Sequence, residues 1–427
     1  MKTNLLKYRI DNIAMISVLS ACILGFLVAT NIELISYFLI IMMSFFLLLF
    51  VSQINNPYLI IVVGAGFIIR LFLSLINAYY WILPSGRNDA VNFEATGWLI
   101  ATTSTTLAEI FSYPVEFYRK FIAVIYFFFG RNPLLIQHIS LVAGVLLIYV
   151  VYKMVFEISN HQNASRLAAI IVAFHPGLVQ FSVFTRRESL IYFLTALSVY
   201  LFIKWFNNGS GKTFFLSIIS LIGASVFHSG VIFLGVVYIL YYVFFIPKNG
   251  KWNISFTKII ISSIILMTVI SLGELVFRKI PELSVTEIEE TVSRKSIDGR
   301  TGYLQNLQPD SVVDLIIQTP VRITYFLLTP FPWQLKSIND LYGFILDVLP
   351  MYVFLFFSFK YLKYIRINNC KLYIAISIIL LVIILPFAWG TSNYGTALRH
   401  RQKVVWLFIS LASIGYYVNK KKLKRKD

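Results

Sequence analysis

Three short polar clusters interrupt an otherwise apolar chain, and each carries side chains able to do chemistry. The first, Ser85-Gly86-Arg87-Asn88-Asp89-Ala90-Val91-Asn92-Phe93-Glu94, sets the carboxylates Asp89 and Glu94 five residues apart. A carboxylate at the wet edge of an apolar bundle can take the proton of a hydroxyl as a new bond forms at that oxygen. Asp89 follows a polar turn, whereas Glu94 leads into Ala95-Thr96-Gly97-Trp98, which reads as a packed interfacial helix; Asp89 is therefore the expected base and Glu94 the second candidate. The competing reading of this segment is a solvated loop with a capping Asp. The second cluster, Thr185-Arg186-Arg187-Glu188, comes after Phe174-His175-Pro176 and opens an apolar run. Two adjacent guanidiniums at a helix start can fork onto diphosphate oxygens, with the helix N-terminus adding partial positive charge and Glu188 holding one arginine in place. The third cluster, residues 395–403, gathers Arg399, His400, Arg401 and Lys403 within five residues. Such a group fits a pyrophosphate or a phospholipid headgroup. Snorkelling or plain headgroup anchoring is the bland alternative for both basic clusters. His228, in Phe227-His228-Ser229-Gly230, and Arg322 complete the candidate binding set, although a lone histidine in a turn is more often simply hydrogen-bonded.

What must position these groups is a membrane bundle. Of 427 residues 58% are hydrophobic and 13% charged, against about 25% charged in ordinary soluble domains, which excludes a water-soluble enzyme. Apolar runs able to cross a bilayer begin near residues 12, 35, 58, 134, 167, 188, 213, 229, 257, 340, 371 and 403. The expected fold is an all-α integral membrane bundle of 12 spans forming one polytopic domain over 1–427. The segments 121–129 and 311–333 are read as interfacial or re-entrant elements; if both crossed, the count would be 14. Cys22 and Cys370 can build neither a disulfide framework nor a structural zinc site.

The net charge of +18 is a topology signal and not a nucleic-acid footprint. With the N-terminus in the cytoplasm, the inside segments carry 20 Lys and Arg against three acids, Asp11, Glu157 and Asp427. That imbalance puts both termini inside, with a basic tail at 420–427. The long connections 77–133 and 276–339 and all three polar clusters then face outward. Nucleotide sugars are not available on that side, so a substrate must arrive on a lipid. Three other patterns are discounted. Leu19-Ser20-Ala21-Cys22 is followed by more apolar residues where a processed lipoprotein would have a polar tether; Gly209-Ser210-Gly211-Lys212-Thr213 lacks the first glycine and the strand of a phosphate loop; and three glycosylation sequons fall on inside loops.

The stretch from Asp89 to Tyr242 resembles bacterial surface-polysaccharide membrane proteins of the GT-C glycosyltransferase and EpsG/Wzy polymerase types. Asp89-Ala90-Val91-Asn92-Phe93 is similar to their early extracytoplasmic Asp-Ala-x-x-Phe segment, and Phe174-His175-Pro176 with Arg186-Arg187-Glu188 to their Pro then Arg-Glu helix start. Phe227-His228-Ser229-Gly230, Leu327-Leu328-Thr329-Pro330-Phe331-Pro332-Trp333 and Gly395-Thr396-Ala397-Leu398-Arg399-His400-Arg401 are similar to further segments of such proteins. One departure is that the GT-C aspartate usually follows the first span, whereas Asp89 follows the third. The resemblance implies an inner-membrane glycosyltransferase or polymerase acting on undecaprenyl-diphosphate-linked saccharides in O-antigen, capsule or exopolysaccharide synthesis, alongside membrane lipids and other assembly proteins. In it the arginines bind diphosphate and a carboxylate activates the acceptor. No cofactor is required, and a divalent ion bridging Asp89 or Glu94 to the diphosphate is compatible with the sequence. The alternative from another class is a flippase for the lipid-linked oligosaccharide. It would more often show two similar halves with polar residues spread toward the midplane, and no internal repeat is visible.

Overall fold

The computed structural model describes residues 32–54, 56–83, 86–87, 89–246, 251–252, 256–260, 263, 301–305, 307, 309, 311–368 and 370–423. They divide into two compact units, the first drawn from residues up to 60 together with 67–142 and 183–186, the second from 61–66, 143–182 and 187 onward.

The first unit contains α1 (Ile32–Ser52), most of α2 (Pro57–Tyr79), the short helices α3 (Asp89–Thr103), α4 (Leu107–Ser112) and α5 (Phe117–Phe129), and the opening turns of α6 (Pro133–Ser159). Asn56 caps α2 by accepting from the Leu59 N–H, and Pro57 takes the first helical position, where a missing N–H costs nothing. Thr106 caps α4 in the same way, and the Glu109 carboxylate reaches back to the Thr105 N–H at 2.7 Å. Helix α5 ends at Gly130, whose φ of 72° disfavours any residue with a Cβ. Gly97 lets α3 lie close on α5, since a Cβ there would meet Ile122 at 2.5 Å. The Phe93 and Tyr118 rings close the same contact edge-on at 5.3 Å. The connection 77–133 is thus largely helical, and it starts α3 at Asp89.

The second unit holds the rest of α6, then α7 (Gln162–Phe174), α8 (Pro176–Gln180), α9 (Glu188–Asn208), α10 (Gly211–Phe227) and α11 (Phe233–Phe244). A two-residue antiparallel ladder, β1 (Phe245–Ile246) with β2 (Lys251–Trp252), precedes α12 (Val312–Leu328). Helix α13 (Ile338–Gly343) passes through a π turn at Phe344–Val348 into α14 (Leu349–Asn368), followed by α15 (Cys370–Trp389) and α16 (Tyr394–Leu423). Helices α14 and α16 touch backbone to backbone at Gly415, where a Cβ would collide with the Phe357 carbonyl oxygen. Ser198 on α9 donates to the Ser217 carbonyl of α10 at 2.8 Å, and Phe202 stacks on Tyr238 at 4.3 Å.

The protein is an all-helical membrane protein, with that ladder and a single bridge between Gly302 and Asn393 as the β pairing among the described residues, and these residues do not reach the expected 12 spans. Among the described residues six helical segments are long and apolar enough to cross: Leu34–Ser52, Pro57–Tyr79, Pro133–Ser159, Glu188–Asn208, Ile338–Ile365 and Cys370–Trp389. The apolar run at 167 forms the 13-residue α7, about 20 Å long against a core of about 30 Å. It stops at His175 because Pro176 has no N–H to continue the ladder. The run at 403 belongs to a 30-residue helix that begins at Tyr394 and carries the third basic cluster in its first turns. The segments 121–129 and 311–333 form helices of 13 and 17 residues, α5 and α12, neither of crossing length, so the 14-span variant gains nothing. The run at 12 and most of the run at 257, with much of 276–339 and of the tail, lie outside the described residues.

Candidate functional site

In the first unit Asp89 is the first residue of α3, where the helix N-terminus favours a negative charge. Its carboxylate is half-exposed, at 48%, and faces the Arg186 guanidinium at 3.9 Å. Arg186 is itself buried; its Nη2 donates to the Arg87 carbonyl at 3.5 Å, and its own carbonyl accepts from Ser140 at 3.1 Å. A half-exposed carboxylate at a helix start, 3.9 Å from a buried guanidinium, is reachable by an acceptor hydroxyl and can take its proton. Glu94 lies one and a half turns along the same helix and is placed quite differently. It is buried, receives both forks of Arg131 at 2.9 Å and accepts from the Tyr126 hydroxyl at 3.1 Å. Those three bonds tie α3 to α5 and to the start of α6. They also push the titration of Arg131 upward, chiefly through its hydrogen bond to Glu94.

In the second unit the basic residues sort into two sets. Glu188 starts α9, is buried, and forms an ion pair with Arg399 at 3.5 Å. Lys403, one turn beyond Arg399 on α16, has Arg399 and Arg187 as like-charged neighbours and Glu188 as the opposing acid. Three cations thus gather around one carboxylate. Two histidines complete the group: the His228 ring meets the His400 ring edge-on at 5.7 Å, and Phe387 lies within 5.4 Å of both rings and 5.1 Å below the Lys403 ammonium. Thr391 Oγ1 lies 3.2 Å from His400 Nδ1. Burial drives the His228 pKa well below the ordinary imidazole value, and Lys403, Arg187 and Arg399 push it further the same way. His228 therefore faces these cations as a neutral ring. A cluster that brings three cations, a neutral imidazole and an aromatic ring together is suited to a polyanion such as a phosphate or diphosphate.

Arg401 and Arg322 do not join this cluster. Arg401 is fully buried, pairs with Asp347 at 3.0 Å and donates to the Thr329 carbonyl; the Gln402 amide donates to the same carboxylate. Arg322 donates to Gln318 Oε1 at 2.9 and 3.1 Å and to the Leu307 carbonyl at 3.0 Å. Arg186 and Arg187 also part company: Arg186 engages Asp89, while Arg187 belongs with His228, Arg399 and Lys403. Residues absent from the sequence-based reading are Phe387, Thr391, Arg131 and Asp347. Asp347 sits in an apolar run with no periodicity to single it out. Among the described residues no three His, Cys, Asp or Glu side chains gather as a metal site.

Residues 87–282 match the family described as dolichyl-phosphate-mannose-protein mannosyltransferase. The chain also superimposes on the crystal structure of the apo oligosaccharyltransferase of Archaeoglobus fulgidus, with a TM-score of 0.51 and 15% identity over 88% of this chain and 52% of that one. The likeness is one of fold. A second structure, the archaeal oligosaccharyltransferase AglB from the same organism in complex with an inhibitory peptide and a dolichol-phosphate, gives a TM-score of 0.49 at 15% identity, again over 88% and 52% of the two chains. The chain spans about half the length of both archaeal proteins. No curated protein matches its sequence.

Proposed function

We propose that the protein is a membrane glycosyltransferase that takes a sugar unit from a polyprenyl-diphosphate carrier and joins it to an acceptor hydroxyl at the extracytoplasmic face of a bacterial inner membrane. The undecaprenyl-linked saccharides of O-antigen, capsule or exopolysaccharide synthesis are the substrate class, and both termini are cytoplasmic. The observation that carries the reading is the gathering of cations in the second unit: Arg187, Arg399 and Lys403 beside Glu188, the acid that faces Lys403 among the described residues, and beside neutral His228. The partial match to a dolichyl-phosphate-dependent family and the GT-C fold support the lipid-linked donor.

In the reaction the bond from the sugar's anomeric carbon to the diphosphate oxygen breaks, and its electrons leave with the diphosphate. The acceptor oxygen bonds to that carbon and its proton passes to a carboxylate, for which Asp89 is the candidate. Cations held in place before the leaving group develops its charge need no reorganisation at that moment. Each such donor contributes roughly 3 to 4 kcal/mol of barrier reduction. No step needs a cofactor. The full chain reconstituted with undecaprenyl-diphosphate-linked saccharide should release undecaprenyl diphosphate and lengthen the acceptor. Movement of intact substrate between leaflets with no released carrier would replace the enzyme by a flippase.

A further inference from the structure

We infer that the first unit contains a binding site for one neutral sugar residue, in a cavity of about 330 Å³ that no part of the diphosphate cluster lines. Its polar lining comes from Tyr37, Asn77, Tyr79, Asn132, Gln137 and Thr185. Tyr37 stands near the start of one candidate span, Gln137 near the start of another and Asn77 and Tyr79 at the end of a third, so the cavity opens where these helices reach the membrane boundary.

The hydrogen bonds around it determine what it can hold. The Asn77 oxygen accepts from the Leu83 N–H at 3.1 Å, the Asn132 oxygen from the Leu134 and Leu135 N–H groups at 3.1 and 3.4 Å, and the Gln137 oxygen from the Ser74 hydroxyl at 3.2 Å. Each carboxamide has therefore spent its acceptor inside the unit. Among the described residues no protein group takes the three amide nitrogens. The Tyr37 and Tyr79 hydroxyls, 3.3 Å apart, add two rotatable donor-acceptor groups. The single formal charge of the lining, Glu94, is already bonded to Arg131 and Tyr126. A donor-rich, effectively neutral cavity selects a ligand that is rich in acceptors and uncharged. A phosphate would find no uncommitted cation, and an acyl chain would leave the amide donors unsatisfied in a dry space, at a cost. A sugar ring offers hydroxyl and ring oxygens to such donors, and its C–H face suits the remaining apolar lining, which includes Ile82 and Leu134. The volume lies at the small end of the about 300 to 1,000 Å³ of ligand sites, enough for one residue and not a chain.

The place of this site in catalysis rests on the glycosyltransferase reading, but its occupancy does not, and the experiment separates the two. Saturation-transfer NMR on the full chain in nanodiscs is read with two probes: a panel of neutral hexose and N-acetylhexosamine oligosaccharides, and undecaprenyl diphosphate. The oligosaccharides should bind, with only one residue of each saturated strongly. Asn77→Leu or Gln137→Leu should weaken them about tenfold or more. Tyr79→Phe, at an exposed side chain where folding is not at risk, should weaken them about 3- to 10-fold, the loss of one neutral hydrogen bond. None of these changes should alter the diphosphate probe, and Arg187→Ala should do the reverse. Sugar bound equally by wild type and Tyr79→Phe would place it elsewhere, and no sugar bound by a chain that still binds diphosphate would make the cavity a hydrated void; either overturns the inference. Sugar bound normally by a chain that binds no diphosphate would overturn the donor reading and leave this one standing. To tell acceptor from donor, a lipid-free saccharide that competes with product formation marks an acceptor residue, and one that competes only with the lipid-linked substrate marks the donor residue.

Discussion

Arg399 and Arg401 stand two residues apart on one helix, yet their surroundings in the second unit are opposite in kind. Two residues of α-helix turn about 200°, so the two side chains leave α16 on nearly opposite faces. Arg401 goes to two buried acceptors, the Asp347 carboxylate and the Thr329 carbonyl, and the neighbouring Gln402 amide donates to the same carboxylate. Arg399 meets one acid, Glu188, in company with Lys403 and Arg187. The first arrangement is balanced and the second is not. A folded membrane protein gains nothing from excess buried charge unless something else neutralises it, so the unbalanced cluster is the one expected to receive a ligand.

The sharpest way to break that contrast is to attack the balanced pair. Asp347→Ala leaves a buried arginine without its carboxylate and should cost about 3 to 5 kcal/mol of stability, seen as a large drop in the thermal midpoint in detergent. Asp347→Ala combined with Arg401→Met should recover most of the loss, because it is the isolated charge that is costly. If the single variant unfolds no earlier than wild type yet abolishes transfer, the pair belongs to the chemistry after all.

Arg187→Ala should do the converse: transfer falls by roughly 100- to 1,000-fold while the thermal midpoint barely moves. Lysine at 187 should rescue poorly, since it keeps the charge but loses the two-pronged contact with phosphate oxygens. Near-normal turnover in the alanine variant would return this cluster to headgroup anchoring.

The two carboxylates of the first unit offer the next comparison. Asp89→Asn should lose about 100-fold or more in rate with little change in folding, the effect of removing a general base. Glu94→Gln should instead loosen α3 from the start of α6, by about 1 to 3 kcal/mol, because it breaks the bidentate bond to Arg131. Rates and melting curves of both purified variants decide this, and the reverse pattern would move the base to Glu94.

The smallest effect concerns pH. His228 is held neutral, so the unfolded chain binds a proton that the folded chain resists as pH falls below about 6.5. Its contribution to stability is complete above that value and is lost on acidification, with a slope of up to about 1.4 kcal/mol per pH unit. A bound diphosphate would favour the protonated ring, so binding should tighten as pH falls through the same range. His228→Asn should flatten both slopes, and unchanged slopes would place the titrating group elsewhere.

Some of this was written in the chain itself. Composition alone fixed a helical membrane protein, because no soluble core could bury so many apolar residues. The three polar clusters were visible for the same reason: charge among apolar runs stands out. Glu94 also read correctly as a residue of a helix, since Ala95-Thr96-Gly97-Trp98 continues one and Gly97 permits its close packing on α5. At the run near 167, however, hydropathy marked a crossing that the structure does not show, as it registers apolar content and cannot see a helix broken at Pro176 after 13 residues. Nor could the sequence sort its arginines. Adjacent Arg186 and Arg187, and nearly adjacent Arg399 and Arg401, look equivalent in one dimension. Which of them face an acid, a carbonyl or each other depends on elements far away in sequence, at Asp89, Asp347, Thr329 and Glu188. Charge type and local spacing are properties of the chain, whereas charge balance is set by what packing brings alongside, and only the tertiary structure decides that.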